Sequence, residues 1–462
     1  MPIELKSKVL RGVSELERVA AGALVLARGA RGAGVRAFQR GLLDLGYALL
    51  GGADGVFGRS SEAALGSFRE LHRRFAAAVL DAPTLALLDA SLVRAEAVAG
   101  YSLVNPRFAG AAQLTSLLAG HTPLPRRGDA VTRVQKALLD LLFALPRWGA
   151  DGALGDESRE ALRQFQRWQR IRTGGELTPL TLMALDQLAP APNQRVIRSP
   201  MYDELIRDGW LTVTVAIGYD EGGNDLRELA EFRDGLRDEG FTQTGATASD
   251  AVHTYTRALM IEGHSGGLRV RLVSRHTADP EDRFADGLVQ DSVCIYSGHA
   301  RYGTGPDFDP IESTAENFVI GVGAPQHLSG DLEPGYDPHM NQVLTGVPND
   351  LLTRRFDPDR YQLWAFVGCT TRHYLDELRT IVAGKHTDNL DLVVSTRPIY
   401  WNDSAFYPLE IVRGLLRGRS INAITTAMCV QATATEQSIG VQQTGDAFFG
   451  DGFGDNAPPW PA

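Results

Sequence analysis

The chain has 462 residues, 44% hydrophobic and 22% charged, with a formal net charge of −10 and a pI near 5.5. That length exceeds one hydrophobic core and points to about two to four domains, while the ordinary apolar fraction excludes a largely disordered chain. An acidic balance with scattered arginines excludes nucleic acid and anionic membrane surfaces as principal partners. No apolar run approaches the ~20 residues of a membrane helix. The opening "MPIELKSKVLRGVSELERV" mixes charge into every turn and lacks an apolar stretch and a small-residue cleavage site. The expectation is synthesis and retention in the cytoplasm, with lysis or an injection device as the routes outward. Cys294, Cys369 and Cys429 are too few for a disulfide framework, which fits a reducing compartment.

After a helical lead-in (residues 1–29), the chain repeats itself. "VRAFQRGLLDLGYALLGGADGVFGRSSEAALGSFRELH" aligns with "VTRVQKALLDLLFALPRWGADGALGDESREALRQFQRWQ": Gln39 with Gln135 at an offset of 96, then Asp54-Gly55 with Asp151-Gly152 and Phe68 with Phe165 at 97. Each unit reads as three short helices. In the first, Leu42, Leu43 and Leu45 mark one amphipathic helix, Ala64, Leu65 and Phe68 the next, and Leu85 and Leu88 the third. The D-G-x-[FL]-G element between helices is a turn in which glycine supplies positive φ. Both units resemble the peptidoglycan-binding domain family, with its Q-x-x-L-x-x-L-G-Y, D-G-x-F-G and A-[LV]-x-x-F-Q elements; the second departs at "LLFALPRW". The expected boundaries are repeat 1 at 30–92, a connector at 93–120, and repeat 2 at 121–189. The resemblance implies that residues 30–189 bind peptidoglycan. Every quoted residue is a turn or core residue, so a role as protein-docking modules stays open.

"APAPNQRVIRSP" makes residues 190–200 a proline-rich linker. Beyond it the texture changes. "WLTVTVAIGYD" predicts a strand and "NDLRELAEFRDGLRDEG" a helix with Leu226, Leu229, Phe232 and Leu236 on one face. "TYTRALMIEG" and "LRVRLVSRH" predict paired strands; "DSVCIYSG", "YQLWAFVGC" and "LDLVVST" predict short apolar strands. "TRHYLDELRTIVAG" and "SAFYPLEIVRGLLRG" predict helices. Strands alternating with amphipathic helices predict a mostly parallel sheet covered by helices over residues 201–445, with 446–462 as a tail. The fold class is therefore multidomain: two small all-α three-helix repeats followed by an α/β domain.

In such a sheet, sites form beyond the carboxyl ends of strands. Two strands end alike: "VCIYSGH" delivers His299 and "WAFVGC" delivers Cys369, each directly after a glycine. A thiol needs a partner to take its proton, and imidazole serves. Thr370-Thr371-Arg372 offers hydroxyls to cap a helix, whose N-terminus would stabilise a thiolate. Here the chain resembles the caspase-like cysteine peptidases, the group of caspases, metacaspases, legumains and gingipains. "YSGHA" resembles the metacaspase Y-S-G-H-G histidine motif, with Ala300 in place of its last glycine, and "AFVGCTT" resembles the strand-then-cysteine motif that follows. The resemblance implies His299 as base and acid, Cys369 as nucleophile, and the amides of Gly298 and Cys369 as holders of the oxyanion. The 70 positions between the two imply an insertion around "GVGAPQHLSGDLEPGYDPHMNQVLTG".

Other chemistries fit less well. His253, His264 and His276 lack metal-ligand spacing, so no metal site is assigned. "GCTTR" lacks the histidine of the L,D-transpeptidase motif. "GTGPDFDP" and "FFGDGFGDN" are acidic, glycine-rich candidate calcium loops without EF-hand spacing. No phosphate-binding loop occurs, and no cofactor is assigned. Asp307, Asp309, Arg397 and Trp401 lie in predicted loops that could line a substrate pocket, and "STRPIYWNDSAFY" is the candidate wall. The expectation is a cysteine endopeptidase acting on a polypeptide through a Cys369–His299 dyad, with peptide crosslinks of the cell wall among the substrates. The rival is a non-catalytic structural or docking protein, in which the same scaffold and the repeats attach to a cell wall or a larger assembly.

Overall fold

The computed structural model describes residues 3–72, 78–143, 145, 148–245, 248, 250–261, 263–300, 305–309, 320, 350–443 and 445–456. The inserted stretch around 321–346 lies outside them. The chain forms two compact units, Met1–Arg195 and Val196–Ala462.

The first unit is helical: α1 (Ser14–Ala20), α2 (Ala33–Asp44), α3 (Arg59–Leu71), α4 (Ala82–Glu96), α5 (Ala112–Leu118), α6 (Asp129–Asp140), α7 (Asp156–Trp168) and α8 (Pro179–Leu188). The lead-in is part of the first core. Leu10, Leu16 and Val19 are buried with Val35, Phe38, Leu42, Leu65, Phe68, Leu85 and Leu88. A buried glutamine organises each half. Gln39 Nε2 lies 2.9 Å from Asp54 Oδ1, 3.0 Å from the Val56 carbonyl and 2.9 Å from Ser61 Oγ, while its Oε1 accepts the Gly55 amide at 2.7 Å. Gln135 repeats this with Asp151 at 2.8 Å, Ala153 at 3.0 Å, Ser158 at 2.9 Å and the Gly152 amide at 2.7 Å. One side chain thus ties a first helix to the D-G turn and to the start of the next helix. Further along, the halves diverge in chemistry but not in role. Gln166 Nε2 reaches Thr181 Oγ1 and the Glu176 carbonyl, and at the aligned position Arg69 reaches Thr84 Oγ1 and the Val79 carbonyl.

The second unit is a mixed nine-stranded sheet with helices on both faces. Its strands are β1 (Ile206–Arg207), β2 (Trp210–Ile217), β3 (Thr242–Gln243), β4 (His253–Ile261), β5 (His264–Ser274), β6 (Val293–Ser297), β7 (Gln362–Val367), β8 (Leu390–Ser395) and β9 (Phe448–Asp451). They lie in the order β3-β4-β5-β2-β6-β7-β8-β9, with β1 beside β2. The five central strands, β5-β2-β6-β7-β8, are parallel; β1, β3, β4 and β9 join antiparallel. Every residue of β6, β7 and β8 is buried, as expected of parallel strands covered on both sides. The helices are α9 (Tyr202–Leu205), α10 (Asn224–Asp238), α11 (Pro280–Gln290), α12 (Leu375–Ile381), α13 (Phe406–Leu416) and α14 (Ile421–Ser438). Phe284, Ala285 and Leu288 of α11 and Leu375 and Leu378 of α12 share a core with Cys294, Tyr296, Trp364, Phe366, Leu392 and Val394. The opposite face meets α10, whose Glu228 accepts a hydrogen bond from Ser297 of β6. On α10 the expected apolar stripe needs one correction: Leu229, Phe232 and Leu236 are buried, but Leu226 is 50% exposed and Glu228 takes the inward place.

Replacing Gln135 by Leu keeps the volume but orphans the Gly152 amide, while the Ser158 hydroxyl keeps its bond to the Ala153 carbonyl at 3.2 Å. An unsatisfied buried group costs ~1–3 kcal/mol. The expected result is a loss of about that size in the hydrogen-exchange protection of Gly152, with the residues around Gln39 unaffected.

Candidate functional site

Four parallel strands bring their carboxyl ends to one edge. In register, Ile217 of β2 pairs with Ser297 of β6, Ser297 pairs with Val367 of β7, and Phe366 pairs with Val394 of β8. Two residues beyond Ser297 stands His299, and two beyond Val367 stands Cys369. The backbones of the two turns touch. A Cβ on Gly368 would lie 2.5 Å from the Gly298 carbonyl oxygen and 3.2 Å from Ala300 Cβ. A Cβ on Gly298 would lie 2.5 Å from the Tyr296 hydroxyl and 3.1 Å from Gly218 Cα. Only glycine fits at either position, and this close approach sets His299 and Cys369 on neighbouring turns.

The cysteine turn is fastened from below. Ser395 Oγ donates to the Gly368 carbonyl at 2.5 Å, Thr371 Oγ1 donates to the Phe366 carbonyl at 2.7 Å, and the Ser395 amide donates to Thr371 Oγ1 at 2.8 Å. Thr370 sits in the left-handed region at φ 55°, an outlier for a β-branched residue, and its amide donates to the Arg397 carbonyl at 3.1 Å. The Cys369 thiol donates to the Ile399 carbonyl at 3.7 Å and is partly exposed. Cys294 and Cys429 differ from it. Cys294 is a core residue whose thiol burial pushes well up, and burial also raises the Cys429 thiol.

His299 has two neighbours of consequence. Its Nε2 lies 3.7 Å from Asp220 Oδ1, and its ring meets the Trp401 indole edge-to-face with centroids 4.8 Å apart. Asp220 is 4% exposed and follows β2 by three residues. Trp401 opens a short 3-10 turn (Trp401–Asp403) whose first carbonyl accepts from Arg227 Nη2 at 2.8 Å. Beneath the histidine turn lies Glu228, hydrogen-bonded by Ser297 Oγ at 2.5 Å. Its carboxyl is pushed up to about 7, first by burial and then by the Asp220 and Asp225 carboxylates, against the opposing hydrogen bonds from Ser297 and Ser404.

Several expected roles change in this geometry. The Gly298 amide donates to the Val367 carbonyl at 3.0 Å as part of the ladder, so it is not an oxyanion donor. No hydroxyl caps the helix after Cys369. The chain passes through a 3-10 turn (Thr371–Tyr374) before α12, Thr370 makes no side-chain cap, and the Thr371 hydroxyl is spent on Phe366 and Ser395. Arg397, expected to line a substrate pocket, is instead buried against Glu436, with Nε 2.9 Å and Nη2 3.0 Å from its oxygens, and Nη1 donates to the Gly445 carbonyl at 2.5 Å. Asp307 is fully buried; its amide and carbonyl both meet the Tyr296 hydroxyl at 2.9 Å, and the Asp309 amide donates to its carboxylate at 3.1 Å. These bonds make it a brace under the histidine turn. Trp401 does lie at the edge where His299 stands.

His253, His264 and His276 go to separate partners, the Ala248 carbonyl, Asp203 and Asp225. Among the described residues no group of three or more His, Cys, Asp and Glu side chains could hold a metal ion. In the candidate calcium loop at the C-terminal end, the Asp451 carboxylate is 2.5 Å from Arg379 Nη2. Among the described residues no helix is long and apolar enough to cross a membrane.

Asp220 and Glu228 were missed in the sequence, although each left a signal. Asp220 ends "AIGYD" just after a strand and a glycine, the pattern that singled out His299. Glu228 stands four residues before Phe232 and eight before Leu236, in line with the buried stripe of α10.

A family model described as "Putative peptidoglycan binding domain" matches residues 127–185. Residues 127–185 are similar to that domain family. They span α6, α7 and α8, the half of the helical unit built around Gln135. No curated protein matches the chain.

Glu228 yields a stability prediction. Its carboxyl stands above its unfolded value, so its contribution is fully present below about pH 4.5 and is lost as pH rises through about 7. Glu228→Gln should therefore gain stability relative to wild type across that window, by up to ~3 kcal/mol above pH 7. Denaturant melts of both proteins at pH 4 and pH 8 test the sign, and an equal difference at the two pH values refutes it.

Proposed function

We propose that this chain is a caspase-like cysteine endopeptidase whose helical unit targets it to peptidoglycan. The observation that carries this reading is the register of β6 and β7, which ends two neighbouring parallel strands in Gly-His and Gly-Cys at the same sheet edge. In the reaction His299 takes the Cys369 proton, and the thiolate attacks the scissile carbonyl carbon while the C=O electron pair moves to oxygen. Collapse of that intermediate expels the amine, which takes the proton back from His299. Water, deprotonated by the same imidazole, then attacks the acyl carbon. The C–S bond breaks, the acid leaves, and the Cys369 thiolate remains beside the protonated imidazole or takes its proton back. With the Gly298 amide held in the ladder, the oxyanion donors on this reading are the Cys369 amide and the amides of the His299–Ala300 turn.

Residues 30–92 are read as a second copy of the peptidoglycan-binding module. Support comes from the matching hydrogen bonds of Gln39 and Gln135 and from the paired bridges Arg31–Val56 and Arg127–Ala153. A polypeptide, including the peptide crosslinks of a cell wall, is the proposed substrate, and no cofactor takes part.

A peptidyl acyloxymethyl ketone series should label wild type with one equivalent, read by intact mass. Labelling should vanish in Cys369→Ala, vanish or fall at least ~100-fold in His299→Ala, and spare Cys294 and Cys429. No labelling of wild type would replace this reading with a non-catalytic docking protein on the same scaffold. In parallel, the full chain should co-sediment with purified peptidoglycan sacculi; retention in the supernatant would remove that partner.

A further inference from the structure

The peptidase reading names two residues, but the edge on which they stand holds a third group. Asp220 arrives from β2, the strand that pairs with β6 on the side away from β7. The backbone places it there by a chain of bonds. The Gly218 amide donates to the Ser297 carbonyl at 2.8 Å, and the Tyr219 amide donates to the Asp307 carbonyl at 2.9 Å. That second carbonyl also accepts from the Tyr296 hydroxyl, which bonds the His299 carbonyl at 2.8 Å as well. One tyrosine hydroxyl therefore couples the turn that carries Asp220 to the turn that carries His299.

We infer that Asp220 is the positioning residue for His299, holding the Nε2–H so that Nδ1 is the nitrogen that receives the Cys369 proton, with the Trp401 indole as the opposite wall. This rests on the peptidase reading above. The separation of 3.7 Å is an ion-pair distance and is longer than a hydrogen bond, as is common before a substrate closes a site. A carboxylate there selects one neutral tautomer, the form with its proton on Nε2, because the other would set a lone pair against negative charge. It also favours the imidazolium formed when the thiol gives up its proton. No further reactant enters: the proton leaves Sγ, arrives at Nδ1, and the Nε2 proton stays facing Asp220. Trp401 limits ring rotation through its edge-to-face contact. Among the described residues, the other charged groups at this corner include Glu228, Asp225 and Arg227 on α10, Asp307 under the histidine turn, and Arg275 and His276, which pair with Asp225.

The test is the rate at which a small neutral alkylating agent, iodoacetamide, labels Cys369 in the full chain between pH 5 and pH 9, with Cys369→Ala as the blank. Wild type should show an acid limb set by formation of the thiolate–imidazolium pair. Asp220→Asn should move that limb to higher pH and slow labelling at pH 6 at least ~10-fold, a tenfold change matching one unit of pKa. Asp220→Glu should restore the position of the limb at a lower plateau rate. Trp401→Ala should lower the plateau without moving the limb. A purely structural role for Asp220 would lower thermal stability and leave the limb in place. Unchanged limb and rate in Asp220→Asn, with wild type still labelled by the peptidyl ketones, overturn this inference alone. Failure of the ketones to label wild type overturns the peptidase reading and this inference together. If Asp220→Asn does not fold, Asp220→Ser takes its place under the same reading: a limb moved to higher pH supports the role, and an unmoved limb rejects it.

Discussion

The close approach of two glycine turns at the ends of β6 and β7 is the constraint on which the second unit depends. Parallel register brings Ser297 opposite Val367, and the turns that follow nest against each other. The nesting is tight enough that a methyl group at Gly298 or Gly368 would overlap neighbouring atoms. Everything around it braces this contact. The Tyr296 hydroxyl ties the histidine turn to Asp307, the Tyr374 hydroxyl donates to the Ala300 carbonyl at 2.8 Å, and Ser395 and Thr371 lock the cysteine turn. Such bracing holds the two turns in one arrangement.

Burial explains why polar groups cluster there without unfolding the sheet. The central strands carry apolar residues on both faces, and the acids at the edge are each answered. Glu228 is answered by Ser297, Asp225 by Arg275 at 2.5 Å, and Glu436 by Arg397. The answer to Glu228 is incomplete: the hydroxyls of Ser297 and Ser404 do not replace water around a carboxylate, and its raised pKa records the difference. The same balance recurs at the opposite end of β8. There Asp391 is pushed up to about 7 by burial despite bonds from Tyr361 and from Asn456 at 2.7 Å. Two buried acids near neutrality make this unit's stability sensitive to pH in one direction, falling as pH rises.

The two halves of the helical unit share one hydrogen-bond pattern. Gln39 and Gln135 keep the same four contacts because each must satisfy a turn amide, a turn carbonyl, a carboxylate and a hydroxyl at once, and a side-chain amide does so with both donor and acceptor. Where only a donor is required by the neighbours of Thr84, arginine replaces glutamine. Gln166 additionally accepts the Gly175 amide at 2.9 Å, which a guanidinium could not do.

Periodicity and composition determined much of this protein unaided. The paired helical patterns, the six strands β2 and β4 to β8, the helices α10, α12 and α13, and the glycine–histidine and glycine–cysteine strand ends are local patterns, set by side-chain spacing along a helix or strand. In contrast, α11, α14 and β9, which lies in the stretch 446–462 expected to be a tail, were not read from such spacing. Tertiary structure alone decided which strand ends became neighbours, and so which side chains meet. It placed Asp220 beside His299, although they are 79 positions apart in the chain. It turned Arg397 away into a buried pair with Glu436, and it committed the Gly298 amide to the ladder. The physical reason is that hydrogen-bond partners and ion pairs are chosen by register across strands and by packing between elements. Neither leaves a trace in the spacing of a single strand.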